Sequence, residues 1–376
     1  MKPFSLLIKP ASADCNLRCD YCFYLEKRGV YPDQAIHRMN IQILKRLIKS
    51  YLRLDFPQLN FGWQGGEPTL MGLDFFKQAV NLQKQYCGNN QTIGNGLQTN
   101  GILINNEWCR FFHENQFLIG LSLDGPREIH DKHRRNKKKE SVHDNVMRSV
   151  EILQNNYVAF NSLTVINKDN YNKAVEIYDF LRKRGIFFHQ YIPAIISTNR
   201  KINNSNFSIS GMEYGRFLID LFNRWYPDDI KTVSIRLFDS IINRLTLGTV
   251  TQCNMGESCD GYFVVEYNGD VYPCDYYVEN NWLLGNIKTN PWQDLCLHEK
   301  RTAFAALKMN LNSNCTKCDF LGLCKGDCTR HRDFTHAESG NLSALCSGLK
   351  FFYAKTLDKF QDIAGQAKVL LRQEIQ

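Results

Sequence analysis

Residues 15–22 read Cys15-Asn16-Leu17-Arg18-Cys19-Asp20-Tyr21-Cys22, three cysteines spaced C-X3-C-X2-C just behind a short apolar run at 4–9 that reads as a strand. The number of thiols decides the reading. A structural zinc or a closed iron–sulfur cube takes four protein ligands. Three thiolates on a 4Fe–4S cube leave one iron open, and open metal positions are where chemistry happens. The plain alternatives are three reduced, buried cysteines, or three parts of a zinc site with a distant fourth ligand. The spacing favours the open cluster, as do the neighbours Tyr21, Phe23 and Tyr24.

This stretch resembles the cluster motif of radical S-adenosylmethionine (AdoMet) enzymes. The resemblance implies that the amino and carboxylate groups of AdoMet chelate the open iron. One electron then cleaves the sulfonium to methionine and a 5′-deoxyadenosyl radical. The protein positions the cofactor and shields the radical, and the cofactor supplies the hard step.

Working outward, residues 1–247 alternate strand-like runs with amphipathic segments. Strands are expected at 4–9, 59–63, 92–98, 117–122, 158–165 and 187–193. Helices are expected at 41–54, 73–86, 107–114, 142–155, 172–184, 213–225 and 235–247. Such alternation implies an α/β fold of parallel βα units with right-handed crossovers. Six units fit a partial (β/α)6 barrel, the radical AdoMet type of fold, in which function collects in loops at the C-terminal strand ends.

The other motifs fall at those ends. After the second strand comes Gln64-Gly65-Gly66-Glu67-Pro68-Thr69. Paired glycines let backbone approach a ligand and offer free N–H groups, and Pro68 fixes the exit; alone, this is equally a tight turn. It resembles the GGEP element that binds the amino group of AdoMet, which implies roles for Gly65, Gly66 and Glu67. Gln98-Thr99-Asn100-Gly101 and Ser122-Leu123-Asp124-Gly125-Pro126 end the next two strands and, in isolation, read as capping turns. By resemblance to sulfatase-maturing relatives, Tyr21, Gly66, Ser122, Arg134 and a position near Ile195 contact AdoMet. Arg134 would then be the one member of the basic run 132–139 with a specific task, since a guanidinium suits a carboxylate. The rest of that run reads as a solvated loop. Substrate contacts are expected within 196–231.

Composition excludes little beyond this. The 376 residues give room for one large domain and a smaller unit. The net charge of +8, from 46 basic and 38 acidic residues, permits an acidic partner without arguing for one. No signal-peptide core or bilayer-spanning run is visible, so a cytoplasmic protein with reduced thiols is expected, with neither membrane nor nucleic acid as partner. Fourteen cysteines in that setting ask for metal more than for disulfides.

Past about residue 248 the composition changes. Cys253, Cys259, Cys274, Cys315, Cys318, Cys324, Cys328 and Cys346 lie in a stretch rich in glycine and turns. Eight thiols make two tetrathiolate sites, either zinc ions or fully ligated iron–sulfur clusters, and spacing alone does not choose. The pattern resembles the SPASM extension of radical AdoMet enzymes. That resemblance implies an interleaved set in which Cys253, Cys259, Cys274 and Cys328 hold one auxiliary 4Fe–4S cluster. Cys315, Cys318, Cys324 and Cys346 hold the other. Cys87, Cys109 and Cys296 stay outside these sets, the first two as small buried hydrophobes in helices. Alternating residues flank Asn268-Gly269 and read as a β-hairpin that delivers Cys274 and Asp275. A carboxylate there caps a turn unless the family is invoked. In sulfatase-maturing enzymes the aspartate after this cysteine is the general base.

The organisation expected is a barrel at 1–247, a SPASM-like domain at 248–348 and a C-terminal helix at 349–376, its periodic part 349–360 packing on the barrel. Nearly the whole chain resembles the anaerobic sulfatase-maturating enzymes. That implies three 4Fe–4S clusters, AdoMet, an unfolded sulfatase polypeptide as substrate, and an electron donor such as a flavodoxin or ferredoxin. The reaction implied is oxidation of a cysteine or serine in Cys/Ser-X-Pro-X-Arg to Cα-formylglycine. Two rivals remain: a SPASM enzyme making thioethers or epimers in another ribosomal peptide, and a zinc protein binding nucleic acid through 132–139.

Overall fold

The computed structural model describes residues 1–195, 207–332 and 341–374, and it divides into two compact units. The first comprises 1–123, 130–161 and 259–306. Its strands β1 (Ser5–Lys9), β2 (Gln58–Trp63), β3 (Thr92–Thr99) and β4 (Leu118–Ser122) pair in parallel in that order. Helices α1 (Ile41–Leu52), α2 (Leu73–Tyr86) and α3 (Asn106–Glu114) make the crossovers. In α1 the Asn40 side chain caps Ile43 N–H, and Ile43, Leu44, Leu47, Ile48 and Tyr51 recur at helical spacing to form the buried stripe. Each aliphatic side chain so buried contributes about 1.5–3 kcal/mol.

After β4 the chain forms α4 (Arg127–His133), which the charge of this segment had hidden, and then α5 (His143–Asn155). The expected hairpin at Asn268-Gly269 is present. β8 (Tyr262–Glu266) and β9 (Asp270–Tyr272) are antiparallel, with Gly269 at φ +92° in the turn. What the local pattern does not disclose is its destination. β8 pairs in parallel with β1, Lys9 lying opposite Glu266, and β10 (Gly285–Asn286) extends the sheet beyond β9.

The second unit comprises 124–129, 162–258 and 307–376. β5 (Phe160–Ile166), β6 (Phe188–Pro193) and the very short β7 (Ser234–Ile235) are parallel, with α6 (Ala174–Lys183), α7 (Gly211–Trp225) and α8 (Arg236–Leu247) among them in the chain. The C-terminal helix runs Cys346–Glu374, starting three residues before the expected 349, and its contacts are with α7 and α8. It approaches α7 backbone to backbone. A Cβ on Gly348 would lie 1.6 Å from Gly211 O, and one on Gly215 would lie 2.6 Å from Gly348. Phe222, Phe238, Phe352 and Phe360 close that contact. Among the described residues no helix is long and apolar enough to cross a membrane. The expected substrate contacts at 196–206 lie outside the described residues.

His189 on β6 is buried, its Nε2 2.8 Å from Ile186 O and its Nδ1 3.0 Å from the Tyr191 hydroxyl. Donation to the Ile186 carbonyl requires a proton on Nε2, leaving Nδ1 to accept from Tyr191. Burial pushes the imidazole down to about 4, the Ile186 bond opposing. The folded value lies below the unfolded one, so stability is full above about pH 6.5 and is lost as pH falls toward about 4. Urea unfolding should show wild type losing about 1 kcal/mol more than His189→Gln between about pH 7 and about pH 5.5.

Candidate active site

The chain leaves β1 at Lys9 and turns at once. Ser12 N–H donates to Lys9 O at 3.1 Å and Asp14 N–H to Ala11 O at 2.9 Å. Asp14 then anchors the loop, accepting from His37 N–H at 2.8 Å, His37 Nδ1 at 3.1 Å and Arg38 Nη1 at 2.8 Å. Burial works to raise this carboxyl, but the bonds from His37 and Arg38 hold it below its ordinary value. Cys15, Cys19 and Cys22 follow, all half-buried. Leu17 N–H and Asn100 Nδ2 donate to Cys15 Sγ at 3.3 and 3.6 Å, as outer-shell donors to a metal-bound thiolate do. As a thiol, Cys15 is pushed up to about 12 by burial, with the Glu67 charge adding to it. Burial also raises Cys22, against bonds from the Tyr24 and Leu25 amides. A cation stabilises such sulfurs as thiolates. Among the described residues no three His, Cys, Asp or Glu side chains converge on one ion. A cluster spreads its thiolates over separate irons, so a loop of three soft sulfurs fits it.

The Gly65-Gly66-Glu67-Pro68 turn lies against this loop. Gly66 N–H donates to Ser12 O at 2.6 Å and Glu67 N–H to Asp14 O at 2.8 Å, so these amides serve the cysteine loop and are not free for a ligand. A Cβ on Gly66 would lie 2.0 Å from Asp14 O, and Gly65 sits at φ +133° with its Cβ position 2.7 Å from Ser12 O. Glu67 turns inward. Its Oε1 accepts from Thr69 N–H at 3.0 Å, Thr69 Oγ1 at 2.6 Å and Thr99 Oγ1 at 2.8 Å, and its Oε2 from Asn100 N–H at 2.8 Å. Burial pushes the carboxyl up against these donors. Asn100, thus fixed, reaches Asn16 Oδ1 at 2.8 Å as well as Cys15.

Of the other expected cofactor contacts, Tyr21 and Arg134 are brought together. The guanidinium is buried, 5.3 Å from the Tyr21 ring centroid. Ser122 closes β4, half-buried. Ile195, also half-buried, belongs to the second unit.

Asp275 follows Cys274 at the start of a short 3-10 turn and is buried. Its Oδ2 lies 3.6 Å from Lys9 Nζ, an ammonium 1% exposed at the end of β1. The same ammonium sits 4.6 Å from the centroid of Tyr24, whose hydroxyl donates to Glu266. Burial pushes Lys9 down, against the pull of Asp275 and Glu266, and pushes Glu266 up. Sequence reasoning named Asp275 but missed Lys9 and Glu266. The available signal was a lysine closing an apolar strand immediately before the cysteine loop.

The eight later cysteines divide by unit. Cys259 and Cys274 pack in one cluster of the first unit, the Tyr262 hydroxyl 3.2 Å from Cys274 Sγ. In the second unit, Lys308 Nζ donates to Asn254 O at 2.7 Å and to Asp327 O, tying together the neighbours of Cys253 and Cys328. Cys315, Cys318, Cys324 and Cys346 line one cavity of about 40 Å³ with Leu349 and Tyr353. Burial pushes Cys324 up to about 12, the Asp327 charge adding to it. Four thiols around one cavity fit a fully ligated cluster.

Comparison with known proteins agrees with this geometry. Residues 10–181 match the radical SAM superfamily and residues 248–319 the SPASM iron-sulfur cluster-binding domain. A cysteine-type anaerobic sulfatase-maturating enzyme of Clostridium perfringens is 36% identical over 98% of this chain and 100% of its own length. The chain belongs to the anaerobic sulfatase-maturating enzymes. A serine-type family member from Bacteroides thetaiotaomicron is 34% identical over 92% of this chain and 88% of its own. A solved structure described as native anSMEcpe with bound AdoMet and Cp18Cys peptide covers 97% of this chain and 100% of that one, at 36% identity and a TM-score of 0.90. The partial barrel with its SPASM region is therefore the family fold.

In this sulfatase-maturating family member, the close fit of Gly66 under the cysteine loop generates a test. Gly66→Ala should lower the iron bound after anoxic reconstitution and slow AdoMet cleavage about 100-fold, while far-UV circular dichroism stays unchanged.

Proposed function

We propose that this chain oxidises a cysteine or serine within a Cys/Ser-X-Pro-X-Arg segment of an unfolded sulfatase to Cα-formylglycine, in a reducing, cytoplasmic setting. The observation that carries the reading is the buried Asp275 carboxylate, paired with Lys9 at the C-terminal end of β1, where the cysteine loop begins. The residues implied as ligands are Cys15, Cys19 and Cys22 for the first cluster. Cys253, Cys259, Cys274 and Cys328, and Cys315, Cys318, Cys324 and Cys346, would hold two more. When bound, AdoMet on the first cluster supplies the radical that takes a hydrogen from the substrate β-carbon, and the auxiliary clusters supply an electron sink.

The protein's own residues do the rest. Arg134, stacked near Tyr21, suits the AdoMet carboxylate in charge and shape. The turn at Gly65 and Gly66 lies against the cysteine loop and would orient the cofactor, as would Ser122 at the end of β4 and Ile195. Asp275 takes the proton of the substrate thiol or hydroxyl. Lys9, 3.6 Å away, orients that carboxylate. A cysteine substrate passes through a thioaldehyde, which water converts to the aldehyde with loss of hydrogen sulfide. The electron donor is a small carrier protein such as a flavodoxin or ferredoxin.

The deciding experiment incubates reconstituted protein anoxically with reductant, AdoMet and matched Cys-X-Pro-X-Arg and Ser-X-Pro-X-Arg peptides. Mass spectrometry should find an aldehyde at the target residue of at least one peptide. Release of 5′-deoxyadenosine without any peptide change would overturn the proposed substrate. Asp275→Asn should still cleave AdoMet yet form roughly 100-fold less aldehyde; undiminished product would remove Asp275 as the base.

Lys9→Met should also retain cleavage and lose about tenfold in aldehyde, raising the ratio of 5′-deoxyadenosine to product. An unchanged ratio would remove Lys9 as the residue that positions Asp275.

A further inference from the structure

The basic run is expected to be a solvated loop, but the structure builds part of it into a turn fastened to the cysteine loop. Leu17 and Asn136 form an antiparallel bridge, and Arg135 bridges Ser141. Arg18 N–H donates to Arg135 O at 2.9 Å and Asp20 N–H to His133 O at 3.1 Å. Within the turn, Asn136 Oδ1 accepts from Lys138 N–H and Glu140 N–H, both at 2.9 Å, and Asn136 O accepts from Lys139 N–H at 2.9 Å. The turn is therefore held by its own backbone while Lys137, Lys138 and Lys139 are exposed, beside exposed Lys132, Arg135 and Arg18. The acids nearby are Asp20, Asp131 and Glu140. Asp131 accepts from Ser141 and from the Val142 and His143 amides, Glu140 from Asn136, and Asp20 lies 3.1 Å from His133. The cationic face thus outnumbers its acids, and most of those acids are engaged locally.

We propose that this turn is the docking surface for an acidic one-electron carrier protein, of the flavodoxin or ferredoxin class, that reduces the centre at Cys15, Cys19 and Cys22. The inference rests on the function proposed above, which needs one electron delivered to that centre in each turnover. The carrier is oxidised by one electron and the centre reduced by one, with no bond made or broken at the turn. The chemistry recognised is a negatively charged protein face, and the backbone bonds from Arg18 and Asp20 place that face beside the cysteine loop. Three lysines on a short turn steer such a partner through long-range charge without a large interface.

The test compares wild-type holoenzyme with the K137E/K138E/K139E variant, using an acidic flavodoxin as the probe. Equilibrium titration with oxidised flavodoxin should show wild-type binding that weakens with ionic strength, and variant binding about tenfold weaker with little salt dependence. AdoMet cleavage driven by reduced flavodoxin should slow about tenfold in the variant, and cleavage driven by dithionite should be equal in both. Equal flavodoxin binding and equal flavodoxin-driven rates would overturn the proposal. So would unchanged flavodoxin binding accompanied by salt-dependent oligonucleotide binding lost in the variant, which would give the turn to nucleic acid. Failure of dithionite-driven cleavage in both proteins would count against the radical reading instead, and the titration would still decide the docking.

Discussion

Parallel strands share a polarity, so wherever β8 lies beside β1 the chain emerging from each does so at the same edge of the sheet. The register of this pair places Lys9 opposite Glu266. Beyond Lys9 comes the cysteine loop, and beyond Glu266 comes the hairpin that returns through Cys274 to Asp275. β9 runs back along β8, Tyr272 opposite Val264, and past Cys274 the Asp275 carboxylate meets the Lys9 ammonium, so residues separated by most of the chain come together. β8 is buried on both faces, so a slip of a single residue would force Phe263 and Val265 into the places of Val264 and Glu266 and aim Glu266 away from Lys9. The apolar face of the hairpin, by packing, fixes the placement of the carboxylate.

That placement creates an electrostatic problem with a definite form. One buried ammonium faces two buried carboxyls, where burial keeps bulk solvent from spreading the excess charge. Burial raises Glu266, and the Tyr24 hydroxyl opposes this by donating to one of its oxygens. Removing one partner of a buried pair leaves the other uncompensated, typically at about 3–5 kcal/mol. The arrangement is specific for that reason: the pair holds its geometry because the separated charges are worse.

Much of this was legible in the chain, and the illegible part has a common cause. Periods near two and near 3.6 separate strands from helices, so the βα alternation could be read directly. The three-cysteine loop and the Asn268-Gly269 hairpin are local patterns as well. The pairing of β8 with β1 is not local, and nothing in residues 262–266 says which strand they will join. The packing role of Gly66 was illegible because sequence shows the missing Cβ but not Asp14 O, the atom that excludes one. Lys9, Glu266 and Lys308 were overlooked because a charge on an element's end normally faces water. The close seat of the C-terminal helix on α7 was not legible because it uses Gly348, Gly211 and Gly215, which carry no hydrophobic signal.

The segment 132–139 shows how burial divides one run of like residues. Arg134 is 7% exposed against Tyr21, whereas Lys137, Lys138 and Lys139 are fully on the surface. A buried guanidinium has lost its water and must be answered by a fixed anion or a ring face, so it suits a planar carboxylate held in one orientation. An exposed ammonium keeps its hydration, contributes little to any single contact, and acts at the range of the Debye length, about 8–10 Å at ordinary salt. The same charge is therefore set against a ring face at Arg134 and left hydrated at Lys137, Lys138 and Lys139. The backbone bonds of Leu17, Arg18 and Asp20 hold the whole segment to the cysteine loop.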